Sequence, residues 1–236
     1  METDVLEAIR AELVQSVDEK TRDGAKRFFK EEVKFHGVKS AAVKKIAQKY
    51  QRAIKGRDKR DIFALCENLL QSGYGEEAFI AFEWAYSMRK SLQPEDFHVF
   101  ESWLRKYVDN WAKCDTLCNH TIGAFIEKYP GFIENLKGWA RSENRWLKRA
   151  SAVTLILPAR KGDFLKEVLE ISDILLKDKD DLVQKGYGWM LKEASRRHQE
   201  EIFEYIMRRR SEMPRTALRY AIEKMPEDLR RKAMER

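Results

Sequence analysis

Three observations predict an all-α fold, a solenoid of HEAT-like antiparallel helix pairs. Apolar residues recur at helical spacing along nearly the whole chain, with no convincing alternating strand. Glycine and proline are scarce, 11 and 5 in 236 residues, and the breakers fall at fairly regular places. Similar helix openings return after steps of 35 and 36 residues, at Trp111-Ala-Lys, Trp146-Leu-Lys and Leu182-Val-Gln. A period near this length is what a two-helix repeat unit produces.

The first helix is DVLEAIRAELVQSV, with Val5, Ile9 and Leu13 on one face. SAAVKKIAQKYQRAI repeats the pattern with Val43, Ile46 and Ile54. Breaks are expected at Gly37, Gly56, Gly73-Tyr-Gly75, Pro94, Asp109-Asn110, Pro130, Pro158 with Gly162, Pro214 and Pro226. Pro94, Pro130 and Pro226 suit a first helical turn, where a missing N–H costs nothing. Roughly a dozen or more short helices follow from this spacing. GEEAFIAFEW from residue 75 and RTALRYAI from 215 continue the repeat loosely. No linker composition interrupts the chain, so residues 1–236 are expected to form a single repeat domain.

Charge is unevenly spread. The net charge is +7, yet residues 20–60 hold 15 Lys/Arg against 4 Asp/Glu. Residues 137–161 form a second basic block, with seven basic residues and one acid. One lysine run is usually a solvated face; two separate blocks point to a polyanion, nucleic acid first. A stack of helix pairs curves, and a basic concave face could hold a duplex.

Other classes find little support. No apolar run reaches the roughly 18 residues of a membrane span. The acidic, amphipathic N-terminus is unlike a signal peptide, and three cysteines argue against a disulfide scaffold, so a reducing cytoplasmic setting is expected. Cys114, Cys118 and His120 have no evident fourth metal ligand, and two core cysteines are the better reading. No phosphate-cradling glycine loop or hydrolase motif occurs, so no cofactor and no metal are expected.

The residues that invite chemistry are Trp111 and Asp115 in VDNWAKCDTLC, four apart and hence on one helix face. Trp146 and Arg149 sit in NRWLKRASAVTLILPAR, and Trp189 in DLVQKGYGWMLKEASRR. Gly186 and Gly188 each cost about 1 kcal/mol of helix propensity, which implies close packing or room for a ligand near Trp189. A helix tryptophan taken alone is usually core, and an aspartate one turn into a helix can simply answer the N-terminal dipole.

Together these motifs resemble the DNA alkylation repair family of HEAT-like repeat glycosylases, the AlkD type, over nearly the whole length. The resemblance implies a C-shaped solenoid of six or seven helix pairs with a concave basic face. It implies excision of cationic N3- and N7-alkylated purines, such as 3-methyladenine and 7-methylguanine, from duplex DNA. On that pattern Asp115 is the catalytic carboxylate, Trp111 and Trp189 flank the deoxyribose, and Arg149 completes the cleft against the phosphate backbone, with Arg145 the alternative for its role. Lys192 matches a DNA-contacting position; Phe28 and Lys39 lie where the N-terminal segment meets DNA, and Arg145 and Lys148 belong to the second basic block. The expected partner is double-stranded DNA bound by a monomer in the cytoplasm, with the nucleoid. Two rivals stay open: a non-catalytic solenoid that recognises branched or damaged DNA, and a HEAT-like protein-interaction scaffold.

Overall fold

The structure, a computed structural model, describes residues 2–235, with side chains for 5–24 and 28–235. Among them the regular elements are helices; the sole strand-like pairing is an isolated bridge between Val17 and Val38. The all-α expectation holds. No described helix is long and apolar enough to cross a membrane.

The chain packs as two compact units, residues 1–117 and 118–236. The first contains α1 (Glu2–Gln15), α2 (Glu19–Phe28), α3 (Ser40–Ala53), α4 (Lys59–Gln71), α5 (Gly75–Ser87), α6 (Asp96–Tyr107) and α7 (Trp111–Thr116). Within it α5 packs on α3, α4 and α7, while α4 also meets α1 and α6. Contact with the neighbouring helix and with one two places along is the pattern of stacked helix pairs. The predicted α3 face is the buried one, Val43, Ile46 and Ile54. In α1 the buried face is Leu6, Ile9 and Leu13, and Val5 sits at its margin. Phe97, Phe100 and Trp103 of α6 and Trp84 of α5 are fully buried. Burying a side chain of phenylalanine size contributes roughly 1.5–3 kcal/mol. The Trp84 indole N–H donates to the Ala47 carbonyl at 2.9 Å, so its polar atom is satisfied.

The second unit contains α8 (Gly123–Lys128), α9 (Ile133–Ala140), α10 (Arg145–Val153), α11 (Ile156–Lys161), α12 (Leu165–Leu175), α13 (Asp181–Ala194), α14 (Gln199–Arg209), α15 (Arg215–Ile222) and α16 (Glu227–Met234). Here α13 is the hub, packed on α10, α11, α12 and α15. Gly188 explains one of these contacts. A Cβ there would lie 2.7 Å from both the Ala217 carbonyl oxygen and Tyr220 Cβ, so α15 could not sit where it does. Gly186 lies against the Arg149 side chain, 3.4 Å from where its Cβ would fall. Close packing is therefore the reason for Gly188, while a Cβ at Gly186 would make ordinary contact with Arg149. Gly188→Ala is expected to destabilise by about 1–3 kcal/mol through overpacking, because a backbone carbonyl cannot yield as a flexible side chain can. Thermal unfolding reads this, and an unchanged melting temperature would reject it.

The breakers work mostly as expected. Gly37, Gly56, Gly73 and Gly162 take positive φ, and Gly162 (φ 102°) closes α11 in the left-handed conformation. Pro130 opens a short 3-10 turn, Pro130–Phe132. Pro226 is the residue just before α16, and Pro94 lies in the turn before α6, so neither enters the helix proper. Pro158 is instead inside α11, at its third residue, where the first-turn N–H has no helical acceptor to lose. The repeat register also shifts. Side chains of Asn110, Asn144 and Asp180 cap α7, α10 and α13, so Trp111 opens its helix while Trp146 and Leu182 come second in theirs.

Candidate functional site

Asn110 fixes the start of α7: its side-chain oxygen accepts from the Lys113 N–H at 3.0 Å. Lys113 then turns back, and its buried ammonium donates to the Gly73 carbonyl at 3.0 Å and to Asp109 at 2.8 Å. A buried lysine must be paired in this way, and here the pairing pins α7 to the loop ahead of α5. Trp111 and Asp115 are both within α7, so a step of four puts them about 40° apart around the axis and about 6 Å along it. Both side chains are half-buried, wet enough to meet a ligand and held enough to keep a direction. Directly after α7 the helix widens into a π segment, Leu117–Ile122, a local departure often found beside functional residues.

Trp111 does not stand alone. Its ring lies 5.5 Å from Phe29, stacked, and 5.6 Å from Phe28, edge-on; Phe29 in turn stacks on Phe35 at 5.4 Å. These rings and Phe79 line a cavity of about 430 Å³ in the first unit. Phe28 is 67% exposed, so a large apolar ring stands at the surface beside Trp111. Glycine makes the arrangement possible: a Cβ on Gly75 would fall 2.1 Å from the Phe35 ring. The loop carrying Phe35 is held by Glu76, buried on α5. Its carboxylate accepts from three successive N–H groups, His36 at 3.0 Å, Gly37 at 2.8 Å and Val38 at 3.0 Å. Sequence reasoning singled out Phe28 and Trp111 but missed Phe29, Phe35, Lys113 and Glu76. The repeated aromatics of RFFKEEVKF were the available signal.

In the second unit Trp189 is half-buried on α13. The contrast with the other indoles is informative: Trp84, Trp103, Trp139 and Trp146 are buried, at 9% exposure or less. Trp111 and Trp189 are thus the two tryptophans that are only half-buried. Arg149 is only 5% exposed, and its guanidinium donates to the Leu182 carbonyl, bridging α10 to the first turn of α13. Arg145, more exposed at 43%, pairs with Asp180 at 2.7 Å and lies over the Trp146 ring.

The remaining expected DNA contacts are paired with carboxylates too. Lys148 meets Asp178 at 2.7 Å, Lys192 meets Glu223 at 2.9 Å, and Lys39 meets Asp18 at 3.1 Å. Hydrogen bonds from the Thr21 hydroxyl and N–H, then from Lys39, hold the Asp18 carboxyl at about 2. An exposed ion pair is weak, around 0–1 kcal/mol, so a phosphate can compete for Lys39, whereas the Lys148 and Asp178 side chains are only 20% and 11% exposed and Lys192 12%. Cys114 and Cys118 are buried while His120 is exposed, which favours the core reading of both thiols.

Against this geometry the chain can be compared with known proteins. The model of a family described as DNA alkylation repair enzyme matches residues 9–225. A solved structure of a predicted DNA alkylation repair enzyme from Enterococcus faecalis is similar in fold, with a TM-score of 0.80 at 14% identity, covering 90% of this chain and 98% of that one. No curated protein matches the chain in sequence.

Proposed function

From membership of the DNA alkylation repair enzyme family, to which this chain belongs, we propose that it is a DNA glycosylase. It hydrolyses the N-glycosidic bond of cationic N3- and N7-alkylated purines in duplex DNA, acting as a monomer whose two units form one working domain in the cytoplasm. The observation that carries this reading is on α7: an indole and a carboxylate, both half-buried, one turn apart on one face.

The chemistry follows from the substrate. Alkylation at N3 or N7 leaves the purine positively charged, so it departs as a neutral base. As the bond lengthens, charge passes to the sugar in an oxocarbenium-like transition state. Such a reaction requires no proton on the leaving group. It gains most from fixed negative charge and π-faces where the cation develops. Asp115 supplies the charge, orients the attacking water and accepts the proton that the water loses as its oxygen bonds to the sugar carbon. Trp111 and Trp189 offer ring faces, each worth roughly 0.5–2 kcal/mol toward a cation depending on desolvation. Arg149, buried against α13, positions the helix that carries Trp189, and Arg145 is the arginine placed to meet phosphate. Lys39, Lys148 and Lys192 exchange their carboxylate partners for the DNA backbone, with Phe28 at the margin.

The test is direct. Purified protein with methylated duplex DNA is expected to release free 3-methyladenine and 7-methylguanine, read by mass spectrometry. Uracil and hypoxanthine, uncharged as bases, should stay attached. Release of those two at comparable rates would contradict a mechanism built on substrate charge, and release of nothing would leave a DNA-binding repeat protein.

A further inference from the structure

α13 is closed to solvent along most of its length. From Lys185 to Ala194 every residue is buried except Lys185, Trp189 and Lys192. These stand at steps of four and three, so they share one face. The hub helix of the second unit therefore opens in a single stripe, an indole with an ammonium one turn to either side. Tyr220 of α15 lies along that stripe. Its Cβ is 2.7 Å from where a Gly188 Cβ would fall, and the Lys192 ammonium stands over its ring, 5.7 Å from the centroid.

Tyr220 is half-buried, and its hydroxyl makes no hydrogen bond to a described residue. Tyr50, Tyr107, Tyr187 and Tyr205 differ: each places its hydroxyl on a protein acceptor, Glu12, Glu67, the Leu176 carbonyl and Asp173 respectively. A phenol packed like Tyr220 has its O–H left to offer as a donor. It is also an electrostatic neighbour of Lys185. The hydrogen bond to Asp181, at 2.6 Å, holds the Lys185 ammonium above its ordinary range; Tyr220 acts in the same direction, burial and Arg149 against it. That bond uses one of the three N–H donors of the lysine. Asp181 itself is 47% exposed, so the pair is of the weak surface kind.

We infer that Lys185 and Tyr220 form a phosphate site beside Trp189. The ammonium and the phenol O–H both donate to the DNA phosphate adjoining the deoxyribose that Trp189 faces. Lys192 steadies the phenol through its ring. The inference rests on the proposed function and deepens it. It assigns Lys185 and Tyr220, neither marked by any sequence motif, to holding the sugar against the indole, in contact with the phosphate and not with the breaking bond.

The test uses the full chain and a duplex with one 7-methylguanine whose 2′-fluoro sugar resists oxocarbenium formation, so affinity is read without base loss. Lys185→Gln is expected to lower affinity about tenfold and to take about 0.9 from the slope of log affinity against log salt. Lys185→Arg should keep the slope. Tyr220→Phe, which leaves the ring against Gly188, should also lower affinity about tenfold, with the slope unchanged. Thermal unfolding checks that each variant is folded. An uncharged methylphosphonate is then placed at each phosphate flanking the lesion in turn. At one position it should weaken the parent about tenfold and Lys185→Gln no further, a coupling that a merely structural lysine would not show. Parental affinity in both variants, or equal phosphonate losses in parent and variants, overturns the inference. Variants that lose only competition by inorganic phosphate, with parental DNA affinity, would make this a site for a free anion and reject the strand contact. Phosphonate coupling in a protein that releases no base from ordinary methylated duplex would keep the phosphate site and reject the glycosylase reading; base release without coupling would do the reverse.

Discussion

Asp115→Asn is expected to slow base release about 100- to 1000-fold, some 3–4 kcal/mol of transition-state stabilisation, while duplex binding persists. The substitution is nearly isosteric and removes only the charge. In the ground state the positive charge is spread over the purine ring and the sugar itself is neutral. In the transition state the sugar is cationic, and the lost interaction appears in full. The rate constant under single-turnover conditions should therefore fall, with DNA affinity nearly constant or slightly improved, since a negative group has left a surface that meets phosphate. An unchanged rate would show that Asp115, the fifth residue of α7, is an ordinary helix-surface aspartate with no part in the reaction. A parallel fall in rate and affinity would make it a binding residue.

That prediction stands on what could be read in the chain before any coordinates. Spacing alone put Trp111 and Asp115 on one face, and α7 bears it out because Asn110 is a competent cap just ahead of them. Helical periodicity likewise located the buried face of α3. The limits of legibility are equally physical. Helix boundaries slipped by a residue at Trp146 and Leu182, because capping and not the tryptophan sets where a helix begins. Gly186 and Gly188 announced that something comes close, but not whether it is a ligand or a helix; the identity of α15 as the neighbour is a long-range fact. The resemblance puts Arg149 in the DNA cleft, and nothing local announces its burial, which depends on the Leu182 carbonyl 33 residues away. Lysines 39, 148 and 192 are expected at DNA, and their carboxylate partners are equally hidden: Asp18, Asp178 and Glu223 lie 21, 30 and 31 positions distant. Local pattern survives in a sequence; pairing between repeats does not, since each repeat offers several chemically similar partners.

Glu76 shows how far such a hidden pairing reaches, and its loss is expected to be the largest structural effect in the first unit. In Glu76→Ala the N–H groups of His36, Gly37 and Val38 lose their acceptor together. Gly37 and Val38 are buried, so water replaces the carboxylate poorly. Each unsatisfied donor costs about 1–3 kcal/mol, and with partial relaxation the total should be about 3–5 kcal/mol. Gly37 makes the relaxation difficult: at φ 95° a Cβ there would already overlap Arg22, so the turn is wedged against α2. Native-state hydrogen exchange is the proper measurement, because it reads the loop without assuming that both units unfold together. Exchange at residues 36–38 should accelerate by two to three orders of magnitude, at about 1.4 kcal/mol per tenfold. Glu76→Gln should fall between, since its oxygen can still serve Gly37 and Val38 while its amide faces the His36 N–H donor to donor. The consequence then passes outward. Phe35 belongs to the same loop, Phe29 stacks on Phe35, and Trp111 stacks on Phe29, so a loosened turn frees the indole beside Asp115. Base release in Glu76→Ala should accordingly drop, but by less than in Asp115→Asn, because the ring loses its direction while the charge stays. Fast exchange at 36–38 with an undiminished rate would mean that the aromatic chain is packing alone, and that Trp111 is held from α7 without it.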